Sequence, residues 1–290
     1  MEYSVFSSTL NKHIFDNSKR DLLKKIAEYP DRYIGLFRPN KPRTKILQNL
    51  LQSHEIRFGD ALEDLFQQYF LALGYRNLEK EIIRSNKRLR LDQLFQDNQY
   101  IYFIEQKVRD DHDSSKKDGQ MKNFEKKIAA LLFDHEESDL KCYTYFIDPS
   151  LKKNKNFYNE EIEKIRGEYG IYIKLCYGKE LWEEIGHPEV WDELTEYLHR
   201  WKEGIPEMPS VNFDENAENS FEEIKKLSVF VFRKLFNNGE VCREILPILF
   251  PGNKTLHLLR EYFCEQRKTI YANIANKITE IIASIPTRND

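Results

Sequence analysis

Three charged residues interrupt two apolar segments that have the composition of β-strands. Asp92 lies in the first segment, residues 88–96, and Glu105 and Lys107 lie in the second, residues 100–108. Burying an unpaired charge inside a sheet is costly, because the low dielectric of the protein interior disfavours ions. The three side chains are therefore expected to face one another, a ligand or water.

Strand geometry predicts that these residues meet. If Asn98 and Gln99 form a two-residue hairpin turn, antiparallel pairing places Asp92 opposite Glu105, and other turns shift this pairing by one or two positions. Side chains alternate between the two faces of a strand, so Glu105 and Lys107 point to the same face. One edge of the sheet is therefore expected to gather two carboxylates and one ammonium group.

Two carboxylates at close range repel each other unless a cation lies between them. Mg²⁺ is the natural candidate, because it binds a few carboxylate oxygens together with carbonyl oxygens and water. It can also hold a phosphate oxygen and the attacking water together. The alternative interpretation is a structural cluster of ion pairs within the sheet.

The elements around these residues follow a mixed α/β order, with a β-meander first and a βαβ-like crossover later. Apolar spacing predicts strands at about 88–96, 100–108, 140–147 and 171–177. It predicts helices at about 18–29, 43–53, 60–73, 119–133 and 157–167, and further helices between the last strand and about residue 202. Beyond these it predicts helices at about 219–236, 240–249, 254–266 and 268–284. The expected fold is a mixed sheet flanked by helices, with helical N- and C-terminal additions.

Composition shifts along the chain predict four segments. An N-terminal helical segment occupies residues 1–58, an α/β core 59–202, a linker 203–217 and a C-terminal helical region 218–290. The linker prediction depends on its two prolines and its acidic residues, which interrupt the helical pattern.

Composition also limits the class of protein. No apolar run approaches the roughly 20 residues needed to span a bilayer, and the first residues lack the pattern of a secretory signal. Four widely spaced cysteines include no C-x-x-C pair, so we expect reduced thiols and a cytoplasmic protein. The net charge of −3 gives no overall basic character, although a basic cleft can exist on an acidic molecule.

Asp92, Glu105 and Lys107 together form the pattern D-x12-E-x-K. With this pattern the chain resembles the PD-(D/E)XK nuclease superfamily, and residues 103–120 resemble the catalytic strand and following loop of type II restriction endonucleases. The helix that includes residues 57–66 adds to the resemblance, which covers roughly residues 45–180. Leu91 precedes the aspartate where this superfamily often has proline.

The resemblance implies a role for each matching residue. Asp92 and Glu105 would be direct ligands of Mg²⁺, and the backbone carbonyl of Gln106 would be a third. Lys107 would contact the scissile phosphate or the attacking water, where an ammonium group stabilises developing negative charge. Glu63, on the preceding helix, would reach the metal through water.

Glu63 also has a purely local interpretation. Asp60 and Glu63 fit the D-x-x-E pattern of a capping box, in which the glutamate binds a backbone N–H at the start of a helix. In that case its carboxylate would stabilise the helix and take no part in catalysis.

Polar and basic residues on both sides of these positions are candidates for DNA binding. Arginines and lysines suit phosphates, while histidine, serine and glutamine can bind bases or backbone. Alternation along the strand places Arg88 and Arg90 on the face of Asp92. The set is Arg88, Arg90, Arg109, His112, Ser114, Lys116, Lys117, Gln120 and Lys122. A solvated strand end and a solvated loop are the alternatives.

The resemblance implies a Mg²⁺-dependent type II restriction endonuclease. It would cut double-stranded DNA at a specific sequence, leave 5′-phosphate and 3′-hydroxyl ends, and belong to a restriction-modification system. A structure-specific or DNA-repair nuclease of the same superfamily is one alternative, and a non-catalytic DNA-binding module is another. The intact Asp92, Glu105 and Lys107 argue against the module.

The implied partners follow from cutting both strands of a symmetric site. A twofold homodimer supplies one active site per strand, and the C-terminal helical region would serve dimerisation or clamp the DNA. A cognate DNA methyltransferase would act on the same site without needing to bind this chain, and no membrane partner is expected.

Overall fold

The computed structural model describes residues 1–84, 87–111 and 113–284. The strands are β1 (Arg76–Asn77), β2 (Glu81–Arg84), β3 (Lys87–Arg90), β4 (Gln93–Gln96), β5 (Ile101–Lys107), β6 (Leu140–Phe146) and β7 (Tyr172–Tyr177). The α-helices are α1 (Tyr3–Ile14), α2 (Ser18–Glu28), α3 (Pro42–Ala72), α4 (Ser114–Leu131), α5 (Lys155–Tyr169), α6 (Lys179–Glu184), α7 (Pro188–Glu203), α8 (Ala217–Ile224), α9 (Val229–Asn237), α10 (Gly239–Glu244), α11 (Leu246–Leu249), α12 (Lys254–Cys264) and α13 (Thr269–Ser284). In these described ranges no helix has the length and apolar character needed to cross a bilayer.

The chain divides into two compact units, each built from two stretches of sequence. The sheet unit contains Met1–His13 and Phe58–Ile205. The helical unit contains Ile14–Arg57 and the residues from Pro206 onward. This grouping differs from the predicted division at residues 58, 202 and 217, because the N-terminal stretch contributes to both units.

The sheet unit contains a five-stranded mixed sheet in the order β1-β4-β5-β6-β7. The β1–β4 and β4–β5 pairs are antiparallel, and the β5–β6 and β6–β7 pairs are parallel. The predicted fold class, a mixed sheet flanked by helices with helical additions, is confirmed. β5 is the central strand, so both of its edges are paired and its side chains have fixed directions.

The hairpin register places the charged residues as expected. Gln93 pairs with Ile104 and Gln96 with Ile101, so the same register extended by one residue sets position 92 opposite position 105. The turn between the strands is stabilised by Asp97, whose carboxylate accepts hydrogen bonds from the backbone amides of Gln99 and Tyr100.

The first predicted strand, residues 88–96, is wrong as a single element. β3 pairs with β2 in a separate two-stranded ribbon, and only β4 joins the main sheet. The break falls at Leu91, which is fully buried and whose N–H donates to the carbonyl of Lys80. Burial of this one side chain turns the backbone and brings Asp92 into a bend.

The helices predicted at 43–53 and 60–73 form one helix, α3. Gly59 lies inside it, and a side chain at this position would contact Val108 at 3.7 Å. Gly59 therefore lies where α3 packs closely against Val108, and the helix continues through it. Phe70 of the same helix stacks on Phe95 of the sheet, with ring centroids 3.8 Å apart.

The helix predicted at 119–133 begins earlier, at Ser114. The amides of Lys116 and Lys117 donate to the carbonyl of Asp113, which starts the first turn. Its buried face packs on the sheet through Phe124, whose ring stacks on Phe103 with centroids 5.4 Å apart.

The N-terminal residues belong to the sheet unit because they are held there by specific contacts. Phe6 and Leu10 of α1 are fully buried. The amino group of Met1 lies 2.8 Å from the carboxylate of Glu193, and Tyr197 donates a hydrogen bond to the Met1 carbonyl.

The segment predicted as a linker, residues 203–217, contains an ordered part of the helical unit. Val211 and Phe213 are buried in its core. Asp214 is also buried, and its two carboxylate oxygens accept hydrogen bonds of 2.8 Å from the amides of Gly252 and Thr255. It therefore caps the start of α12, where backbone N–H groups lack helical partners.

We expect Asp214→Ala to destabilise the helical unit by about 2 kcal/mol, because two amide groups lose their acceptor. Chemical denaturation followed by circular dichroism measures this change. Glu215→Ala is the matched control, since Glu215 is exposed on the next position. Equal midpoints for Asp214→Ala and the wild type would show that the segment does not stabilise the unit.

Candidate active site

Three oxygen atoms converge on the ammonium group of Lys107. Its Nζ lies 3.0 Å from Oδ2 of Asp92, 3.2 Å from Oε1 of Glu105 and 2.8 Å from the carbonyl oxygen of Gln106. Glu105 and Lys107 project from the same face of β5, as alternation requires. The residues that the sequence predicted to meet are therefore brought together at the end of the central strand.

The backbone around Asp92 holds its carboxylate toward β5. The amide of Gln106 donates to Oδ2 of Asp92 at 2.8 Å. Lys80 donates to the Asp92 carbonyl at 2.8 Å. Because both the side chain and the main chain of Asp92 are bound, the bend between β3 and β4 presents the carboxylate in one orientation.

The other face of the hairpin is connected to α3 by buried amides. The side chain of Gln93 donates to the carbonyl of Glu63 at 2.7 Å and lies 3.4 Å from the side-chain oxygen of Gln106. Gln93 and Gln106 are both buried. These contacts fix the distance between the helix that bears Glu63 and the strand that bears Glu105.

Lys127 is a site residue that the sequence interpretation missed. Its Nζ lies 2.5 Å from Oε2 of Glu105 and 3.8 Å from Oδ1 of Asp92. Its side chain is only 5% exposed, whereas that of Lys107 is 30% exposed. A sequence signal existed, because Lys127 lies among the apolar positions of α4, three residues after the buried Phe124.

Two ammonium groups thus balance two carboxylates within one cluster. Burial lowers the pKa of Lys107, but the carboxylates of Glu105 and Asp92 raise it by more, so its pKa lies above the ordinary value. Lys107 therefore stays protonated at neutral pH. The formal charges of the two carboxylates and the two ammonium groups cancel, so the cluster carries no net formal charge.

Glu63 lies next to this cluster, and its environment disfavours ionisation. Burial raises the pKa of Glu63 to about 7, and the negative charge of Asp92 adds to this effect, while Lys80 and Arg90 oppose it. The guanidinium of Arg90 is 3.7 Å from the Glu63 carboxylate. The helix-capping interpretation of Glu63 is wrong, because α3 begins at Pro42 and Glu63 lies well inside it.

The segment after β5 is anchored rather than freely solvated. Asp110 is fully buried, and its carboxylate accepts hydrogen bonds from the amide and the side chain of Asn154 and from the hydroxyl of Tyr177. Arg109, the preceding residue, is exposed and lies 3.7 Å from the carboxylate of Asp111. The buried aspartate therefore fixes the direction in which the chain leaves the candidate site.

The predicted DNA-binding residues lie on three different elements. Arg88 is on the ribbon formed by β2 and β3, where it pairs with Glu81. Arg90 ends β3 beside Glu63. His112 lies outside the described residues, as does the side chain of Ser114.

The remaining predicted residues of this set lie on α4, so the loop expected there is helical. Lys116 and Lys122 are exposed. The ammonium of Lys117 lies 4.2 Å from the ring centroid of Phe157, and Gln120 accepts a hydrogen bond from Tyr158. The roles of all these residues in DNA binding stay predictions.

The structure therefore combines a mixed sheet flanked by helices with a cluster of two carboxylates and two lysines at the end of its central strand. Residues 74–202 match the family model described as type II restriction endonuclease, HinfI. A search of curated proteins found no match. The matched region carries Asp92, Glu105 and Lys107 together with the whole five-stranded sheet. The chain therefore contains a type II restriction endonuclease domain, and the predicted enzyme class, a site-specific deoxyribonuclease, is confirmed.

Neutralising Glu63 is expected to stabilise the metal-free protein in a pH-dependent way. The folded-state pKa of about 7 exceeds the ordinary value of 4.5. Between these two pH values the unfolded chain loses a proton that the folded chain keeps, so wild-type stability falls as pH rises. Glu63→Gln should therefore gain on the order of 2 kcal/mol over the wild type above pH 7 and nothing below pH 4.

Thermal unfolding in a chelator at acidic and alkaline pH tests this expectation. Asp60→Asn is the control, since Asp60 is an exposed carboxylate one turn earlier on α3. A constant difference between Glu63→Gln and the wild type across this pH range would contradict the raised pKa.

Proposed function

We propose that this chain hydrolyses phosphodiester bonds of double-stranded DNA at a specific sequence, with Mg²⁺, and leaves 5′-phosphate and 3′-hydroxyl ends. The observation that carries the proposal is the convergence of Asp92, Glu105 and the Gln106 carbonyl on one cation, the Lys107 ammonium. The domain match supplies the substrate class, which is double-stranded DNA.

The residues present fit a magnesium ion. In the described ranges no group of three or more His, Cys, Asp or Glu side chains could hold a metal. The candidate site instead offers two carboxylates and one backbone carbonyl. A set of two carboxylates and one carbonyl suits Mg²⁺, which keeps several water ligands and takes few from the protein. We propose Asp92, Glu105 and the Gln106 carbonyl as its ligands. When bound, Mg²⁺ would activate a water molecule and offset charge on the phosphate.

Lys107 is proposed to act on the substrate. It ends β5, and its partly exposed side chain can leave the carboxylates without unfolding any element. An ammonium group beside the scissile phosphate stabilises the negative charge that develops in the transition state, or orients the attacking water. Glu63 is proposed to assist through water, since its raised pKa allows it to exchange a proton near neutrality.

Lys127 is proposed as a positioning residue. It is buried on α4, in the last part of the helix, so it cannot move away as Lys107 can. Its contact with Oε2 of Glu105 leaves Oε1 directed at the position that Lys107 occupies. Lys127 would thus fix the orientation of Glu105 and keep one positive charge in the site throughout the reaction.

We also propose how the chain contacts DNA and how it assembles. The basic residues Arg88, Arg90, Arg109, Lys116, Lys117 and Lys122, with His112, Ser114 and Gln120, would contact phosphates or base edges. A twofold homodimer would place one active site on each strand. A methyltransferase of the same specificity would protect the host DNA in a restriction-modification system.

Plasmid digestion with Mg²⁺ tests the proposed function directly. Discrete fragments without accumulating nicked circles indicate a site-specific enzyme that cuts both strands, as a dimer should. Preference for branched substrates would indicate a repair nuclease, and binding without cleavage would indicate a DNA-binding module. Sequencing the fragment ends would define the recognition site and the position of the cuts.

Glu105→Gln is expected to lower the cleavage rate by at least about 10²-fold while DNA binding survives, because a lost metal ligand acts mainly on the transition state. Single-turnover cleavage and binding in a chelator measure the two effects. Glu160→Gln, at an exposed position on α5, should cleave like the wild type. Cleavage at the wild-type rate by Glu105→Gln would remove this residue from the active site.

Lys127→Met is expected to slow single-turnover cleavage by roughly 10²-fold with unchanged DNA affinity, because Glu105 loses its fixed partner. Lys127→Arg keeps the charge and should recover part of the rate. A purely structural role predicts instead that the cleavage rate and the thermal stability fall together. In that case the loss of rate in each variant would follow its loss of stability.

A further inference from the structure

The loop that connects α2 and α3 presents two adjacent apolar side chains to water. Leu36 is 90% exposed and Phe37 is 98% exposed. Among large apolar side chains in the described part of the chain, these two have the highest exposed fractions. Isolated exposed apolar residues are common, but two neighbours that are almost fully exposed point to a binding surface.

The loop holds this pair in a defined turn. The amide of Arg38 donates to the carbonyl of Gly35, which closes a turn with Leu36 and Phe37 at its centre. The guanidinium of Arg38 donates to the carbonyl of Asp31 at 2.9 Å. At the base of the loop, Tyr33 is buried in the core of the helical unit. The apolar tip is therefore projected from an anchored base.

The surroundings of the tip are strongly basic. Residues 30–45 contain five cationic side chains and one carboxylate, whereas the whole chain has a net charge of −3. The cationic side chains are Arg32, Arg38, Lys41, Arg43 and Lys45. A second copy of the same loop would be repelled by this charge. The surface instead suits a polyanion that also offers apolar faces, and duplex DNA has both phosphates and stacked bases.

We propose that the loop is a DNA wedge, in which Leu36 and Phe37 enter between base pairs from the minor groove while Arg38 and Lys41 bind the flanking phosphates. Proteins that bend DNA in this way combine apolar wedges with arginine or lysine contacts. The proposal rests on the proposed DNA substrate and adds a second contact region, which the nuclease motif does not include. Insertion costs least at easily unstacked steps, so the wedge would contribute sequence preference.

Binding of duplex DNA by the full-length protein, measured by fluorescence anisotropy in a chelator, tests the wedge without requiring cleavage. The double variant Leu36→Ser with Phe37→Ser should bind about tenfold more weakly with an unchanged salt dependence, because no phosphate contact is lost. Arg38→Gln with Lys41→Gln should instead reduce the slope of log affinity against log salt by about two. A 2-aminopurine base in the duplex should brighten with the wild type and stay quenched with the apolar double variant.

Phe133→Ser is the matched control, because Phe133 is 78% exposed and is followed by the acidic residues Asp134 and Glu136. It should bind DNA like the wild type. Wild-type affinity and wild-type 2-aminopurine brightening in the apolar double variant would overturn the wedge and leave the nuclease proposal intact. Loss of self-association in that variant, with DNA affinity unchanged, would overturn it in favour of a contact between copies. Failure of the wild type itself to bind duplex DNA would overturn the proposed function as well.

Discussion

The pairing of the buried Glu105 carboxylate and the largely buried Asp92 carboxylate with two ammonium groups is the interaction on which the sheet unit depends. Asp92 and Glu105 can lie side by side only because Lys107 and Lys127 contact opposite oxygens of each carboxylate. Removing one charge from such a cluster leaves another uncompensated in a poorly solvated place. The surrounding backbone must therefore hold four side chains from three different elements in register.

The central strand meets this requirement because it is paired on both edges. β5 is antiparallel to β4 and parallel to β6, so its residues cannot shift without breaking two ladders of hydrogen bonds. α4 packs on the same strand through Phe124 and brings Lys127 to Glu105. Buried Gln93 ties the hairpin to α3, which positions Glu63 beside the cluster. The candidate active site is thus formed by packing of α3 and α4 onto one strand and its hairpin.

The two lysines differ in the freedom that the fold gives them. Lys107 stands at a strand end with part of its side chain in water, and Lys127 is enclosed by a helix and the sheet. In the proposed reaction the site exchanges a protein cation for a metal and a phosphate, which requires one lysine that can move. It also needs one that stays, because two carboxylates without a fixed counter-charge would repel each other when the mobile lysine leaves.

The sequence by itself determined the local parts of this site. Strand alternation and a two-residue hairpin turn at Asn98 and Gln99 predicted that Asp92, Glu105 and Lys107 would meet. Both rules act over neighbouring residues, so the sequence is enough to apply them. Only the tertiary structure decided which distant residues join them. Lys127 meets Glu105 because α4 packs on β5, and the chain breaks at Leu91 because that side chain enters the core. Such contacts depend on how whole elements pack, and no local pattern in the sequence specifies that packing.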